Sequence, residues 1–228
     1  AKVEGLKMDK LERLTKTDLN DFYQLYLYAF TNPDSAERRA FFDHRYQHSE
    51  KYGIKYDGRL GSGMLSIPFQ VNFHGVKYKM NGIGDVMSYP EYGGHGAITK
   101  LMRQAFQDML ANKVALSYLA PFSYKFYRRF GYEEVFDQTI YRVKNTDLPR
   151  IRVDSQAGSM ERLSLKDAIP YIKELYNNNP DSHNAGLVRA DWWWDYLVLK
   201  HPHWQVGVYF DDLHSAAGYV IYEGINTT

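Results

Sequence analysis

The stretch that most constrains the fold is YPEYGGHGAI, residues 89–98, in which three glycines stand just before a strongly patterned helix. Within residues 97–110 the apolar side chains follow the three-and-four spacing of a helix with one buried face: Ala97, Ile98, Leu101, Met102, Ala105, Phe106, Met109 and Leu110. Residues 83–88 before the glycines have strand character, and residues 114–120 form a short apolar run typical of a buried strand. The order strand, glycine turn, helix, strand indicates an α/β (α+β) chain with a mixed sheet flanked by helices.

Such a turn presents the unpaired backbone N–H groups of a helix N-terminus, where the helix dipole also attracts an anion. Glycine allows the anion to approach the backbone closely. Two nucleotide motifs fail here, because no Lys-Ser or Lys-Thr follows the glycines and because Thr99 stands where GxGxxG needs its third glycine. The glycines therefore predict either an anion site of another kind or tight packing without a ligand.

Composition excludes several function classes. With 228 residues and 44% apolar residues, the chain can build one large domain or one and a half. Lys plus Arg number 28 against 27 for Asp plus Glu, so we expect neither a nucleic-acid partner nor a membrane partner. Absence of cysteine removes disulfides and thiolate chemistry, and no apolar run reaches the roughly 18 residues of a membrane span. A cytoplasmic protein without a metal is expected.

The two parts of the chain resemble each other. Residues 11–14, LERL, return as MERL at 160–163, and NPDS at 32–35 returns letter for letter at 179–182. A strand, an acidic turn and a second strand follow each copy. We interpret residues 1–150 as a first unit and residues 151–228 as an incomplete second unit, and the alternative is shared cap and turn composition.

The remaining pattern predicts further elements. Helices are expected at residues 19–30 and 36–52, strands between 54 and 88 with turns at 57–58 and 74–75, a short helix from Ser123 to Phe130 closed by Gly131, and a strand or strand pair at 135–143. Ser35 and Ser123 are the expected N-caps.

Two motifs together resemble the GNAT family of acetyl-coenzyme A-dependent N-acetyltransferases. They are IGDVMSYP at 83–90 leading into the glycine turn, and FYRRFGY at 126–132. With DWWW at 191–194, the sequence is similar over its whole length to the Eis-type (enhanced intracellular survival) branch, whose members carry two tandem GNAT units and a sterol-carrier-like domain. The resemblance implies a chain that lacks the later part of such a protein, and a homo-oligomer, a hexamer in that branch.

The resemblance also implies a site for acetyl-coenzyme A as acyl donor. Its pantetheine arm would lie along Val86, Met87 and Ser88, its pyrophosphate against Gly94, His95, Gly96, Ala97, Ile98 and Thr99, and another part against Phe122 and Ser123. One departure is Gly93, where the family has Arg or Gln, and His95 stands where a basic residue is common. Backbone donation survives this change, but charge assistance to the pyrophosphate is reduced.

The implied reaction is acetyl transfer to a primary amine, on an aminoglycoside-like or lysine-like small molecule or peptide, within a ternary complex. Since a free thiol has a pKa of about 8.5, a nearby acid helps the thiolate leave. Tyr127 matches the tyrosine that has this role in the family. The implied base is a C-terminal carboxylate absent from this chain; Asp85 is either a second candidate or a structural residue. Alternatives are a cofactor-binding protein without turnover and an acyl or aminoacyl transferase.

Two further features carry weaker expectations. His44 and His48 have a spacing compatible with a metal, but without a third ligand a solvated helix face is favoured. Trp192, Trp193 and Trp194 cannot all face one direction on a helix, so at least one is expected to contact another unit or subunit.

Overall fold

The computed structural model describes residues 8–149 and 158–224. Its elements in chain order are β1 (Met8–Arg13), α1 (Leu19–Ala29), α2 (Ala36–Gln47), β2 (Glu50–Tyr56), β3 (Arg59–Phe73), β4 (Val76–Ser88), α3 (Ala97–Ala111), β5 (Leu116–Tyr118), α4 (Tyr124–Arg128), β6 (Ser159–Ser164), α5 (Leu165–Asn178), β7 (Asn184–Val188), α6 (Asp191–Lys200), β8 (Gln205–Phe210) and β9 (Ala216–Tyr222). Two compact units result: residues 1–120 with 177–202, and residues 121–176 with 203–228. The boundary predicted at 150/151 lies outside the described residues, and the division of the sequence into two similar units stays a prediction.

The first unit is built on a mixed sheet. Its strands run in the order β1-β2-β3-β4-β5, and β7 pairs with β3 at residues 70–73, next to the part of β3 that β2 covers. All pairs are antiparallel except β4 with β5, which is parallel. The predicted strands between 54 and 88 are confirmed, with turns at 57–58 and 74–75.

Helices cover both faces of this sheet. A Cβ added to Gly63 would meet the ring of Phe22 on α1, while Tyr52, whose partner in β3 is Met64, donates a hydrogen bond to Asp108 on α3. Gly63 and Met64 are neighbours in one strand, so α1 and α3 lie on opposite faces. The apolar face of α1 and α2 builds the main core with β3 and β4, and that core includes Tyr196 of α6. The fold is thus the predicted mixed sheet flanked by helices.

Three predicted elements differ from the structure. α2 ends at Gln47 rather than at Tyr52, because residues 50–56 pair with both β1 and β3 and so belong to the sheet. The strand predicted at 114–120 is limited to Leu116–Tyr118, and its side chains are only half-buried. Residues 135–143, whose alternation predicted a strand, form none, since within the described ranges no strand pairs with them.

The second unit contains a smaller antiparallel sheet in the order β6-β8-β9. Its strand pairing repeats that of β1-β2-β3, with the first strand of each set followed by helix before the second is reached. Val206, Val208 and Phe210 of β8 are buried, as are Leu165, Ala168 and Ile172 of α5. No helix within the described ranges is both long enough and apolar enough to cross a bilayer.

Candidate functional site

A free sheet edge is the first component of the site. β4 pairs with β5 only at residues 80–82, although β4 continues to Ser88. Among the described strands none pairs with that edge of β4 beyond Gly82. Peptide N–H and C=O groups of residues 83–88 are strong hydrogen-bonding groups that a ligand amide can pair with. Val86, Met87 and Ser88 lie on this segment, where the sequence predicts the pantetheine arm.

A β-bulge interrupts β4 at the start of this free segment. Leu65 is opposite Gly84 and Gly63 is opposite Met87, so Asp85 and Val86 together face one residue of β3. Asp85 has φ 49°, a left-handed conformation that costs a non-glycine residue about 1–3 kcal/mol and persists only where the surroundings impose it. The bulge therefore needs a structural cause.

The Asp85 carboxylate is held by an arginine. Arg45 of α2 donates from Nη2 to Oδ2 of Asp85 at 2.5 Å, and only 15% and 7% of the two side chains are exposed. Burial raises the pKa of Asp85, although the guanidinium opposes this rise. Because this carboxylate is buried and bonded to Arg45, its structural role is favoured over that of a base.

The N-terminus of α3 is the second component. Gly96, the N-cap residue, has φ 78° and offers no side-chain cap, and Lys100 is the first residue whose N–H bonds back to it. The N–H groups of Ala97, Ile98 and Thr99 therefore have no partner within the helix. The first turn contains no acidic residue that would compete with an anion.

Space in front of these amides is open. A Cβ added at Gly94 or Gly96 would meet nothing within 4 Å, and both residues have positive φ. At Gly93, in contrast, an added Cβ would lie 3.1 Å from the Pro90 carbonyl oxygen. Gly94 and Gly96 are therefore explained by a left-handed turn that leaves the N-terminus of α3 uncovered, and not by close packing against the chain. His95 lies on the exposed turn between Gly94 and Gly96.

A wide cavity of about 850 Å³ borders the free segment of β4 and is the third component. It is lined by Val86, Met87 and Ser88 and by the end of α1 with the following turn: Leu27, Tyr28, Ala29, Thr31, Asn32 and Pro33. The exposed ring of Tyr28 lies 5.1 Å from that of Tyr89. Sequence reasoning used NPDS at 32–35 only as a repeat marker and a turn, so these wall residues were missed. Thr31 has a left-handed backbone (φ 52°), and nothing in the sequence predicted that conformation.

Phe122, Ser123 and Tyr127 lie in the second compact unit, on and before α4. Ser123 is the N-cap, with Oγ accepting from the Phe126 N–H at 3.3 Å, as predicted. The ring of Tyr127 contacts those of Phe122, Phe126 and Tyr132, and the residue is only 5% exposed. Burial raises the pKa of Tyr127, so its phenol stays protonated at neutral pH and can donate a proton. Phe122 is largely exposed.

The histidine pair on α2 has a packing role. His48 stacks on Trp192 of α6, with ring centroids 4.6 Å apart and planes within 4°, and His44 Nε2 donates to the Trp192 carbonyl at 2.8 Å. The prediction that His44 and His48 lie on a solvated helix face is wrong, because α6 packs on that face. Trp192 and Trp193 both pack on Phe69 of β3, which precedes the predicted boundary in the sequence but belongs to the same compact unit as the tryptophans. Within the described residues no three His, Asp or Glu side chains are grouped as metal ligands would be.

Comparison with known proteins identifies relatives of this architecture. The sequence model of a family described as "Acetyltransferase (GNAT) domain" matches residues 10–135. The chain is similar to the crystal structure of a conserved protein of unknown function from Enterococcus faecalis V583, a probable N-acyltransferase, with 40% identity and a TM-score of 0.89 over 96% of this chain and 55% of that one. Comparison with curated proteins gave no match.

Two more distant structures share the fold. A GCN5-related N-acetyltransferase from Kribbella flavida has 18% identity and a TM-score of 0.70, over 97% of this chain and 55% of that chain. Eis1 from Mycobacterium abscessus has 17% identity and a TM-score of 0.73, over 97% of this chain and 54% of that chain. The present chain thus spans little more than half the length of these relatives.

Proposed function

Since the chain belongs to the GNAT family of acetyltransferases, we propose that it is an N-acetyltransferase that uses acetyl-coenzyme A to acetylate a primary amine. The observation that carries this proposal is the divergence of β4 from β5, which leaves a hydrogen-bonding edge directly before an uncapped helix N-terminus. The probable N-acyltransferase from E. faecalis, at 40% identity, supports acyl transfer to nitrogen.

The residues present fit the coenzyme. An extended pantetheine arm carries two amides, which suit the peptide groups of Val86, Met87 and Ser88 on the free edge of β4. A pyrophosphate suits the N–H groups of residues 96–99, because the helix dipole favours an anion there and the first turn of α3 contains no acidic residue. Open space at Gly94 and Gly96 gives the anion access to this backbone.

The acceptor amine would occupy the cavity beside the same strand. Its volume of about 850 Å³ exceeds what a thioester end alone requires, and Tyr28 and Asn32 line its outer wall. A donor and an acceptor in one cavity fit direct transfer in a ternary complex. The sequence contains no cysteine, so an acyl-enzyme intermediate on a cysteine thiol is excluded, which agrees with direct transfer.

Acetyl-coenzyme A supplies the thioester carbonyl that the amine attacks, and the departing thiolate needs a proton. Tyr127 is the proposed proton donor, because it matches the tyrosine that has this role in the family and its phenol carries a proton at neutral pH. Asp85 is not proposed as the base, because its carboxylate is committed to Arg45.

The finer expectations are also part of this proposal. They comprise the Eis-type tandem arrangement, an aminoglycoside-like or lysine-like acceptor, a homo-oligomer that is a hexamer in that branch, and a location in the cytoplasm. The likeness to Eis1 from M. abscessus, at 17% identity, concerns the fold alone.

Calorimetry with coenzyme A and a thiol-release assay test the proposal together. We expect coenzyme A to bind with 1:1 stoichiometry, and acetyl-coenzyme A to release thiol in the presence of amines such as a lysine peptide or an aminoglycoside. Acetyl should outperform longer acyl donors. A chain that binds coenzyme A but turns over no amine would be a binding protein, and a preference for long donors would indicate another acyltransferase. Failure to bind coenzyme A at all would contradict the proposed site.

A further inference from the structure

The bulge in β4 decides which face of the sheet each residue of the free segment presents. Ile83 and Met87 are separated by four positions, so they would share a face in a regular strand. Because the register with β3 shifts between them, Met87 instead joins the core beneath α1 and α2, while Ile83 does not. The left-handed backbone of Asp85 is therefore the point at which Val86, Met87 and Ser88 acquire their orientation.

Asp85 is held in place by a chain of contacts that starts on α6. Tyr196 is 1% exposed, and its hydroxyl accepts a hydrogen bond from Nη1 of Arg45 at 3.4 Å, while Nη2 of Arg45 bonds the Asp85 carboxylate. The guanidinium carbon also lies 5.8 Å from the centre of the Tyr196 ring. Among the described residues, the Arg45 guanidinium bonds Tyr196 through Nη1 and Asp85 through Nη2, and its Nε has no hydrogen-bond partner.

Tyr196 is itself fixed by aromatic packing. Its ring stacks on Trp193 at 4.6 Å and meets the edge of Phe41 on α2 at 6.1 Å. Both α6 and α2 belong to the first compact unit, although α6 comes from the part of the sequence that repeats the N-terminal segment. Lys200, at the end of α6, places a second positive charge over the same ring, with Nζ 5.6 Å from its centre.

We propose that α6 supports the acyl-donor site. Tyr196 of α6 positions Arg45, and Arg45 positions Asp85 and thereby the pantetheine-binding edge of β4. The second repeat thus determines the affinity of the first repeat for its donor without touching it. This inference rests on the proposed function for the identity of the ligand. Arg45, Asp85 and Tyr196 are positioning residues, and none is assigned a part in the chemistry.

Conservative substitutions in the whole chain test this arrangement. Arg45→Lys keeps the charge but removes the guanidinium that bonds both Asp85 and Tyr196, and Tyr196→Phe removes only the hydroxyl. We expect Arg45→Lys to raise the Kd for coenzyme A and the KM for acetyl-coenzyme A about tenfold, and Tyr196→Phe by about threefold. Turnover at saturating donor should stay within about twofold of the unaltered chain, because the reacting groups are intact.

Tyr46→Phe is the matched control. Tyr46 is also 1% exposed, and its hydroxyl donates a hydrogen bond at 2.8 Å to the carbonyl of Thr15, in the segment between β1 and α1. In urea unfolding, the Tyr46→Phe variant should lose about as much stability as the Tyr196→Phe variant, but it should keep its affinity for coenzyme A. If Arg45→Lys and Tyr196→Phe bind coenzyme A as tightly as Tyr46→Phe does, the proposal is overturned.

Hydrogen exchange separates this inference from the proposed function. Amides of residues 83–88 should exchange faster in Arg45→Lys and Tyr196→Phe than in Tyr46→Phe, whether or not coenzyme A is present. A chain that fails to bind coenzyme A yet shows this pattern would contradict the proposed function while supporting the positioning of β4. Unchanged exchange at residues 83–88 in both variants would overturn the positioning role itself.

Discussion

At the scale of single residues, the glycines of this chain serve two different purposes. A Cβ added at Gly53, Gly61 or Gly63 would come within 2.5–2.8 Å of neighbouring side chains, so those positions need glycine for packing in the sheet. Gly94 and Gly96 have positive φ and open space in front of them, so glycine is needed there for the left-handed turn and for the close approach of the proposed anion. The sequence shows where the glycines are, but only the tertiary structure separates the two purposes.

Gly96→Ala should weaken coenzyme binding more than it weakens the fold. An alanine in the left-handed region costs about 1 kcal/mol of unfolding free energy, and its methyl group would project into the helix mouth. We expect the Kd for coenzyme A to rise about tenfold by calorimetry. Gly75→Ala, with φ 89° and equally open space in the β3–β4 turn, should lose similar stability in urea and keep its affinity. Equal affinity in both variants would contradict the anion site.

Tyr127→Phe should lower turnover and leave the fold intact. Only the hydroxyl is removed from a buried ring that keeps its contacts with Phe122, Phe126 and Tyr132. We expect kcat to fall about 100-fold, the lower range for a lost general acid, with little change in KM for the donor. Because burial raises the pKa of Tyr127, the phenol remains the proton donor up to pH values above its usual titration, and kcat should not fall between pH 6 and about 9 on its account. Unchanged kcat would remove Tyr127 from this role.

At the scale of elements, α3 combines a free N-terminus with a firmly bonded C-terminal half. Asp108 accepts hydrogen bonds from Nη2 and Nε of Arg13 on β1, from the Tyr52 hydroxyl on β2, and from Gln104 one turn earlier. The helix is therefore tied to two strands at one end. Its other end has no side-chain cap, which leaves the amides available. A helix held in this way can present its N-terminus without help from a ligand.

Asp108→Asn should destabilise the chain in a pH-dependent way. Burial raises the pKa of Asp108, but its hydrogen bonds from Arg13, Tyr52 and Gln104 outweigh burial and hold the pKa below the ordinary value. A carboxylate with a lowered pKa contributes stability that is fully present above the unfolded pKa of about 3.9 and is lost as pH falls through the folded pKa. We expect a loss of about 1–2 kcal/mol at pH 7 in urea unfolding, shrinking as pH approaches about 2.

Asp43→Asn is the control for this measurement. Asp43 bonds Arg39 one turn away on the surface of α2, with about a third of each side chain exposed. Such a pair contributes only about 0.3–0.5 kcal/mol. An Asp108→Asn loss no larger than that of Asp43→Asn would show that α3 is not tied down through this carboxylate.

At the scale of the whole molecule, the order of the sequence and the division into compact units differ. Residues 177–202 belong to the same unit as residues 1–120, since β7 extends the large sheet and α6 supplies Tyr196 to its core. The boundary predicted at 150/151 therefore does not coincide with the division into compact units. Helix α6, which follows that boundary in the sequence, completes the core that residues before it build.

A chain that ends at residue 150 should fold poorly for this reason. It lacks β7 and α6, which leaves part of β3 without its second neighbour and uncovers Phe41 and Phe69. We expect a loss of at least about 3 kcal/mol in urea unfolding, similar to the removal of a large buried aromatic side chain, together with binding of a hydrophobic dye. The full chain cleaved near residue 150 by an inserted protease site keeps β7 and α6, so its two pieces should stay associated and lose less stability than the shortened chain does. Equal stability of the shortened chain would contradict the role of α6 in the core.

The sequence by itself determined the features that depend on neighbouring residues. Helical spacing gave α3, Ser35 and Ser123 gave the caps of α2 and α4, and the paired turn residues gave the breaks between β2, β3 and β4. Each of these is fixed by backbone sterics or by hydrogen bonds that span three or four residues, so it is visible in a short window of letters. The glycine turn belongs to the same class.

Tertiary structure alone decided what depends on residues far apart in the chain. The end of α2 at Gln47 follows from strand pairing of residues 50–56, and the bulge at Asp85 is held by Arg45, which is 40 positions away. The packing of Trp192 on His48, 144 positions earlier by sequence number, has no local signal either. Such contacts form because burial of apolar surface and pairing of buried charges are properties of the packed chain, and no short window of sequence contains both partners.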